Sequence, residues 1–343
     1  MKKCRDNVSC RQRGGQMYLC DKIYGEFDVN EPVFERIIRS ETFRRLSGIN
    51  MGCWSPRAPF YSTNYNRYEH SIGVWLLLRK YGASVPEQIA GLIHDVSHSA
   101  FSHLSDRIFG GCESAQTAQY QDSIHDNFVK NSELAHIITD CGYDLDFILD
   151  DTNFPLKELS LPDLCADRMD YCLRATLHLK SYGYMLDLDV KRLADSFVAT
   201  PNGFVLRDQE SARQFVRTFN FADEKIYSSF DNVFYEAVMA QICRDAVARG
   251  IISRDDFWHL TDWELLKKMH DAGIDFSPMY SSPSDCRADE KDTSARIEYQ
   301  KVRRINPLFI TPDGSYQRLS DVDAEYAKYI SSVPKYMEYK IKK

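Results

Sequence analysis

The 343-residue sequence lacks the local signals of several common classes of protein. It has no run of about eighteen apolar residues, so no segment is long enough for a transmembrane helix. Basic residues open the chain without an apolar stretch behind them, so we expect no secretory signal and a cytoplasmic protein. The net charge of -7 is modest for this length and argues against general nucleic-acid binding.

Motifs for several catalytic mechanisms are also absent. The sequence contains no GxSxG nucleophile elbow, no Walker-type phosphate loop and no GxGxxG dinucleotide motif. Its ten cysteines include no CxxC pair, so we expect no structural zinc and interpret the cysteines as reduced thiols, mostly in the core. A hydrophobic content of 43% is ample for a core, at a length that favours two lobes.

Histidine and aspartate are concentrated in one stretch, residues 67–106. It holds four of the nine histidines and two aspartates among apolar residues: His70, His94, His98, His103, Asp95 and Asp106. Burying so many imidazoles and carboxylates costs several kcal/mol unless each finds a partner. One divalent cation would satisfy several of them at once. The stretch therefore predicts the centre of a metal-dependent hydrolase.

The remaining patterns predict a mainly α protein in four parts. These are a mobile tail (1–17), a helical core (18–273), a Ser/Pro/Asp-rich linker (274–294) and a small mixed lobe (295–343). The periodicity predicts helices over about 31–46, 67–82, 86–96, 100–109, 116–130, 132–149, 160–179, 209–249 and 254–272. A Pro-Asn-Gly sequence at 201–203 predicts a hairpin.

The helix predicted over 160–179 carries three aspartates with different expected roles. Asp163 follows Ser160 at capping-box spacing, which gives it a structural role. Asp170 precedes Arg174 by four residues and is expected to pair with it on a solvated face. Asp167 lies one turn inside the predicted helix and has no such structural role. It can therefore join His70, His94 and Asp95 as a metal ligand. Two imidazoles and two carboxylates suit Mn, Fe, Mg or Zn.

Each of these residues also has a simpler interpretation. A lone buried histidine is more often part of the core than a ligand, and His-Asp dipeptides occur by chance. The combination of motifs, rather than any one of them, favours a metal site. The other histidines outside the stretch, apart from His125, are interpreted as ordinary surface or core residues: His136, His178, His259 and His270.

The segments RYEHSIGV, GLIHDVSHSAFSHLSD and ADRMDY resemble the successive motifs of the HD-domain phosphohydrolases. The resemblance is nearest to the deoxynucleoside triphosphate triphosphohydrolase branch, that of the SAM-and-HD-domain deoxynucleotidase. KIYGEF, FRRLSGIN and RINPLFI resemble the terminal segments of that branch. The resemblance implies an HD-domain helical bundle with a small α+β C-terminal lobe, a divalent metal ion (Mn, Fe, Mg, Co or Zn) and a homo-oligomer.

The resemblance also implies roles for individual residues. The implied metal ligands are His70, His94, Asp95 and Asp167. The implied catalytic residues are His103, held by Asp106, and the pocket histidines His98 and His125. The implied substrate contacts are Arg67 and Arg168 for phosphate, and Tyr171 and Asn50 for the sugar.

Two positions depart from the pattern of that branch. Ala175 stands where the branch has an acidic residue four positions after the tyrosine, and Asn50 stands where it has a glutamine. Both departures weaken the case for a deoxynucleoside triphosphate but leave the metal and phosphate positions intact. We therefore expect a metal-dependent phosphohydrolase of nucleotides, in which metal-activated water attacks phosphorus. The alternatives are a phosphodiesterase or phosphomonoesterase and, in another class, a nucleotide-sensing module without turnover.

Overall fold

The computed structural model describes residues 8–13, 16–57, 65–110, 120–184 and 188–342. Within these ranges the chain is mainly helical, as predicted, and strands are concentrated near its two ends. The helices are α1 (Pro32–Arg39), α2 (Glu41–Arg45), α3 (Arg67–Lys80), α4 (Val85–Ile93), α5 (Leu104–Phe109), α6 (Tyr120–Lys130), α7 (Glu133–Asp140), α8 (Leu145–Leu149), α9 (Ala166–Ser181), α10 (Val190–Ala194), α11 (Gln209–Ala222), α12 (Phe230–Ala248), α13 (Asp256–His259), α14 (Asp262–Asp271), α15 (Pro283–Cys286), α16 (Leu319–Val322) and α17 (Ala324–Ser332). None of them is long and apolar enough to span a lipid bilayer.

The strands form three sheets. They are β1 (Val8–Arg13), β2 (Gln16–Asp21), β3 (Gly25–Asp28), β4 (Phe197–Thr200), β5 (Gly203–Leu206), β6 (Arg296–Lys301), β7 (Leu308–Ile310), β8 (Tyr316–Arg318) and β9 (Tyr336–Ile341). The strand orders are β1-β2-β3, β4-β5-β7-β8 and β6-β9. The β4–β5 pair is the hairpin predicted across Pro-Asn-Gly, which is confirmed.

Helix α3 lies at the centre of the core, as its apolar sequence predicted. It packs against α4 and α9, and Val74, Trp75 and Leu76 are fully buried. The Trp75 ring lies 4.7 Å from that of Phe34, and its Nε1–H donates to Gln88 Oε1 at 3.1 Å. A helix that is packed on every side holds its polar residues in fixed positions. This applies to Arg67 and His70 in the first turn of α3.

The prediction of a mobile tail over residues 1–17 is wrong for the described part of that range. Strand β1 pairs antiparallel with β2, from Val8 opposite Asp21 to Arg13 opposite Gln16. Met17 and Leu19 on β2 are buried in the core. The polar composition of the segment concealed this short apolar alternation, and the cross-strand hydrogen bonds are not visible in the sequence.

The predicted linker, 274–294, is a packed segment. It contains a short helical turn (Ser277–Tyr280) and α15, both in contact with α12. Ile274, Met279 and Pro283 are buried. The Ser/Pro/Asp composition suggested a linker, but burial of these apolar side chains fixes the segment in place.

The predicted lobe, 295–343, has the expected mixture of strands and helices, but its strands belong to two sheets. β6 pairs with β9, from Arg296 opposite Ile341 to Lys301 opposite Tyr336. β7 runs parallel to β5, a strand from an earlier part of the same chain, with Phe309 opposite Leu206. This pairing joins the segment to the rest of the protein. The sequence did not predict it, because parallel pairing of strands far apart in the chain leaves no local signal.

Helix boundaries differ from the prediction at several places. Ser40 separates α1 from α2, and Gly142, with φ of 85°, separates α7 from α8. Helix α9 begins at Ala166 rather than near Ser160, so Asp163 does not cap it. Asp167 therefore lies in the first turn of α9, not one turn inside it.

Most of the described cysteines are free, as expected. The free thiols are Cys10, Cys53, Cys141, Cys165, Cys172, Cys243 and Cys286. Cys20 is the exception, because it takes part in a disulfide bond. Disulfides join residues that the fold brings together, so sequence spacing did not reveal it.

A strained turn lies between α4 and α5. Phe101 and Ser102 both have left-handed backbones, with φ of 62° and 56°. The buried carboxylate of Asp262 holds this turn: Oδ1 accepts from Phe101 N at 2.7 Å, and Oδ2 accepts from Asn50 N at 3.0 Å and Nδ2 at 2.9 Å. These bonds fix a conformation that costs free energy in L-residues.

Asp262→Asn should change how stability depends on pH. Burial raises the pKa of Asp262 to about 6, against 3.8 for an ordinary carboxyl, although the bonds from Phe101 and Asn50 oppose the rise. A raised folded-state pKa gives stability that is fully present below the unfolded value and lost as pH rises through about 6. As the pH is lowered from about 7.5 to about 5, the free energy of unfolding of the wild type should therefore increase relative to that of the variant. Urea unfolding at each pH measures this difference. Parallel pH profiles for the two proteins would contradict this.

Candidate functional site

The first turn of α3 positions two of the predicted functional residues. Asn66 caps the helix by accepting from Glu69 N, and the Glu69 side chain accepts from Asn66 N in return. This capping box starts the helix at Arg67. Arg67 and His70 are three residues apart, lie on one face of the helix and are buried.

His70, His94 and Asp167 converge at one point. His70 Nε2 lies 2.9 Å from Asp167 Oδ1 and 3.2 Å from His94 Nε2, and the latter lies 3.5 Å from Asp167 Oδ1. Their ligand atoms all lie within 4.8 Å of one another, so the three side chains could hold a metal ion. Imidazole and carboxylate donors suit a transition metal or zinc.

Asp95 borders this cluster. Its Oδ2 lies 2.7 Å from an Arg67 Nη atom and 3.8 Å from His70 Nε2. Its Oδ1 lies 3.4 Å from His94 Nε2 and 3.2 Å from His98 Nε2. The structure thus brings all four predicted ligands together, but the oxygens of Asp95 are shared with Arg67 and His98. Metal ligation by these four residues stays a prediction.

A second group, Glu158, Cys165 and Asp167, also has the spacing of a metal site. Arg168 already lies 3.4 Å from Glu158 Oε1, and burial raises the pKa of the Cys165 thiol. A protonated thiol is a poor metal ligand. This group therefore does not compete with the histidine cluster.

Asp170 holds the His70 ring at the nitrogen opposite the cluster. The sequence had predicted that Asp170 lies on a solvated face. Asp170 Oδ2 accepts from His70 Nδ1 at 2.8 Å, which leaves Nε2 directed at Asp167. Both Asp170 and its predicted partner Arg174 are buried. Because Asp170 shares a helical face with the apolar Ala166 and Leu173, helical periodicity could have revealed its burial.

The charge of Asp170 is balanced by a network that reaches the N-terminal sheet. Arg174 Nε donates to both of its oxygens, at 3.1 and 2.8 Å, and Tyr24 Oη donates to Oδ1 at 2.8 Å. Arg174 also donates to Asp21 Oδ2 at 2.6 Å. Asp21 on β2 and Tyr24 in the turn that follows it thus support the site.

Gly73 allows α3 and α9 to approach closely at this point. A Cβ atom there would lie 2.1 Å from both the Arg174 guanidinium and Asp170 Oδ1. Such contacts are impossible without displacing the buried ion pair. Only glycine therefore permits His70 and Asp170 to keep their separation.

The electrostatics of the cluster favour a bound cation. Burial lowers the pKa of His70, but the bonds to Asp167 and Asp170 outweigh it and raise the pKa to about 9. Burial raises the pKa of Asp95, but Arg67 and the adjacent histidines hold it well below its usual range. Without a metal ion, a proton on His70 offsets the carboxylates, and metal binding would release it.

His103 and Asp106 form the predicted pair. His103 Nδ1 lies 3.1 Å from Asp106 Oδ2, and Asp106 Oδ1 accepts from Tyr120 N at 3.0 Å. The His103 side chain is 35% exposed and that of Asp106 only 4%. The imidazole is thus anchored at one nitrogen and can reach solvent or substrate.

His98 and His125 are placed differently from His103. Burial and the nearby Arg67 lower the pKa of His98 to about 3. Burial and Lys157 lower that of His125 to about 3, and its Nδ1 lies 3.0 Å from Ser97 Oγ. Both are neutral near pH 7, so neither is suited to donate a proton. Their catalytic roles stay predictions.

The predicted substrate contacts are partly engaged within the protein. Arg168 donates to the carbonyls of Asp163 at 2.6 Å and Leu159 at 3.1 Å. The Asn50 side chain donates to Asp262, as described above. The Tyr171 hydroxyl is buried and makes no hydrogen bond within the described ranges. Substrate contact by these three residues stays a prediction.

Asp170→Asn should weaken metal binding while the protein still folds. The amide cannot hold His70 Nδ1–H and Arg174 as a charged carboxylate does, and loss of such a partner typically lowers metal affinity about 10- to 100-fold. Chelator-competition titration measures the affinity. Asp195→Asn, at a side chain 64% exposed in an ion pair with Lys80, is the matched control. Equal affinity in both variants would show that Asp170 does not support the site.

Comparisons with known proteins agree with this geometry. The model of the HD domain matches residues 67–175, which span α3 to α9. An uncharacterized Bacillus subtilis protein, YdhJ, is 35% identical over 255 residues, covering 73% of this chain and 74% of its own. The metal-dependent phosphohydrolase cns2 of Cordyceps militaris is 29% identical over 259 residues, 72% of each chain.

Further matches are more distant or shorter. The human deoxynucleoside triphosphate triphosphohydrolase SAMHD1 is 35% identical over 104 residues, but these are only 26% of this chain and 16% of that protein. The crystal structure of a phosphohydrolase from Bacteroides thetaiotaomicron shares the fold, with a TM-score of 0.67 and 14% identity over 96% of this chain and 100% of that one. The family match, the relatives and the clustered histidines and aspartates agree: this chain belongs to the HD-domain phosphohydrolase superfamily and is a metal-dependent hydrolase.

Proposed function

We propose that the protein hydrolyses nucleotides, most specifically deoxynucleoside triphosphates, with release of triphosphate. The observation that carries this proposal is the convergence of His70, His94 and Asp167 beside Asp95. These four side chains would hold the metal ion, and their imidazole and carboxylate donors fit it. When bound, the ion supplies Lewis-acid polarisation of a phosphoryl oxygen and activation of water.

Arg67 would contribute charge at the phosphate. Its Nε donates to Ser102 Oγ at 2.8 Å and one Nη donates to Asp95 Oδ2, which hold the guanidinium in place. A guanidinium has five N–H donors, so donors remain for a phosphate oxygen. A preorganised cation offsets the negative charge that grows on phosphate oxygens in the transition state.

His103 would donate the proton to the departing oxygen. Its Nδ1 is held by Asp106, so Nε2 is the nitrogen free to face substrate. The adjacent Asp106 carboxylate orients the ring, so that the Nε2–H group can be directed at the departing oxygen. The proton leaves from Nε2, and water from solvent can restore it.

Two observations bear on the identity of the nucleotide. The similarity to SAMHD1 supports a deoxynucleoside triphosphate but covers only a quarter of this chain. Ala175, at the position where the deoxynucleotidase branch has an acid, is buried beside Leu179 and Ala222. Because residue 175 itself has no acidic side chain to contact the sugar, a phosphodiesterase or phosphomonoesterase is the second candidate.

His94→Ala should abolish both metal binding and hydrolysis, because it removes one of the converging ligands. Elemental analysis of the purified variant and a phosphate-release assay measure the two effects. His136→Ala, an exposed histidine on α7, is the matched control and should keep both. Undiminished hydrolysis by a folded His94→Ala protein would refute the proposed centre.

His103→Gln should lower kcat about 10²- to 10⁴-fold without loss of metal, because general acid catalysis contributes that much. The decrease should be smaller for a substrate with a good leaving group, such as p-nitrophenyl phosphate, which needs little protonation. Equal loss on both kinds of substrate would argue against a proton-donor role.

A substrate panel should identify the reaction by its product. Wild-type enzyme, loaded separately with Mn, Fe, Mg, Co or Zn, is incubated with deoxynucleotides, ribonucleotides, cyclic nucleotides and simple phosphate esters. Triphosphate as product supports the first candidate, because it requires cleavage at the phosphate nearest the sugar. A monophosphate from cyclic nucleotides, or free phosphate from simple esters, supports the second.

A further inference from the structure

Arg303 lies beside the metal-binding cluster, although it comes from the segment after β6. Its guanidinium lies 6.0 Å from the centre of the Tyr171 ring and 5.8 Å from that of Tyr227. The Tyr171 ring lies 6.4 Å from the His70 ring. Burial lowers the pKa of Arg303, but the surrounding acidic groups, Asp167 among them, raise it overall. The side chain therefore remains charged close to the site.

No salt bridge holds the Arg303 guanidinium within the described part of the chain. Over the described ranges the guanidinium makes no ion pair and no hydrogen bond, although it is partly buried. The two tyrosine rings provide cation–π contacts, which compensate only in part for lost hydration. Asp223 interacts electrostatically with Arg303 and also accepts from Ser228 Oγ at 2.8 Å; burial raises its pKa to about 6, although the charge of Arg303 opposes the rise. An anionic ligand would therefore meet N–H donors that no protein group occupies in the described part of the chain.

Arg303 differs in this respect from the two arginines predicted from the sequence. Arg67 is bonded to Asp95 and Ser102, and Arg168 is bonded to two carbonyls and Glu158. Arg303 keeps all five N–H donors for a ligand. Planar guanidinium donors match two oxygens of a phosphate group.

The backbone leading to Arg303 is held rigidly against the site. Arg107, on the helix that follows His103, donates to Glu298 at 2.8 Å and Gln300 at 2.8 Å on β6. It also donates to Glu236 of α12 at 3.0 Å. This buried network fixes β6 relative to α5, and a side chain on a fixed element can be preorganised for a ligand.

We propose that Arg303, together with the unpartnered hydroxyl of Tyr171, forms an anion subsite that binds a phosphate group of the substrate next to the metal centre. The proposal rests on the proposed function in taking that ligand to be a phosphate ester. Arg67 beside Asp95 and Arg303 beside Tyr171 provide two separate cations. They suit a substrate with more than one phosphate group, such as a nucleoside di- or triphosphate.

Binding of inorganic tripolyphosphate tests the subsite without turnover. Calorimetry is performed on metal-free and on Mn-loaded protein, for Arg303→Gln and for the matched control Arg304→Gln, whose Nε contacts only the Pro334 carbonyl at 3.2 Å. Loss of charge-assisted hydrogen bonds should weaken binding about 10- to 100-fold in Arg303→Gln and leave Arg304→Gln unchanged. Equal affinity of the two variants overturns the proposal.

Kinetics separate substrate binding from a purely structural role. Arg303→Gln should raise KM for a nucleoside triphosphate with metal content preserved, and should affect p-nitrophenyl phosphate less, because that substrate has one phosphate group. Equal effects on both substrates would contradict a second phosphate contact. If the wild type hydrolyses no nucleotide but tripolyphosphate binding still falls in Arg303→Gln, the proposed function fails and the subsite stands.

A conservative variant covers the case in which Arg303→Gln does not fold, as judged by its far-UV circular dichroism. Arg303→Lys keeps the positive charge near the tyrosine rings but loses the planar N–H donors that bind a phosphate group in a bidentate way. It should bind tripolyphosphate more weakly than Arg304→Gln. Affinity equal to that control would overturn the proposal.

Discussion

The site depends on one buried hydrogen bond, between His70 Nδ1 and the Asp170 carboxylate. It fixes the imidazole so that Nε2 meets Asp167 and His94. A buried carboxylate is tolerated only when its charge is compensated, and Arg174 and Tyr24 provide that compensation. The close approach at Gly73 and the turn after β2 therefore have the same effect: they keep the charged carboxylate of Asp170 away from water and correctly placed behind His70, a predicted metal ligand.

The sequence was informative where polar residues interrupt apolar ones. The histidines and aspartates of α3 and of the segment after α4 were found because burial of such groups requires a partner, and the structure places them together. The central position of α3 followed from its all-round apolar character. The pair His103 and Asp106 was implied by the resemblance to the HD-domain phosphohydrolases, and its spacing of three residues suits a contact on one helical face. In each case the signal lay within a few residues, where periodicity is a direct consequence of geometry.

The errors concern interactions between residues far apart in the chain. Asp170 and Arg174 were correctly paired but placed on a solvated face, because the pairing is local and their burial depends on the N-terminal sheet. The packed segment at 274–294 and the strand pairing of β7 with β5 depend on tertiary contacts that composition does not encode. Arg303 was missed because the residues that surround it, Tyr171 and Tyr227, come from other parts of the chain.

The contact between Asp21 and Arg174 also bears on how the protein matures. These residues are separated by more than a hundred positions, so this ion pair can form only after α9 has been synthesised. Contacts of such long range form late, because the chain must first lose the entropy of the intervening loop. Because His70 and Asp167 lie near opposite ends of the region 67–175, the predicted metal ligands meet only once these two ends have packed together.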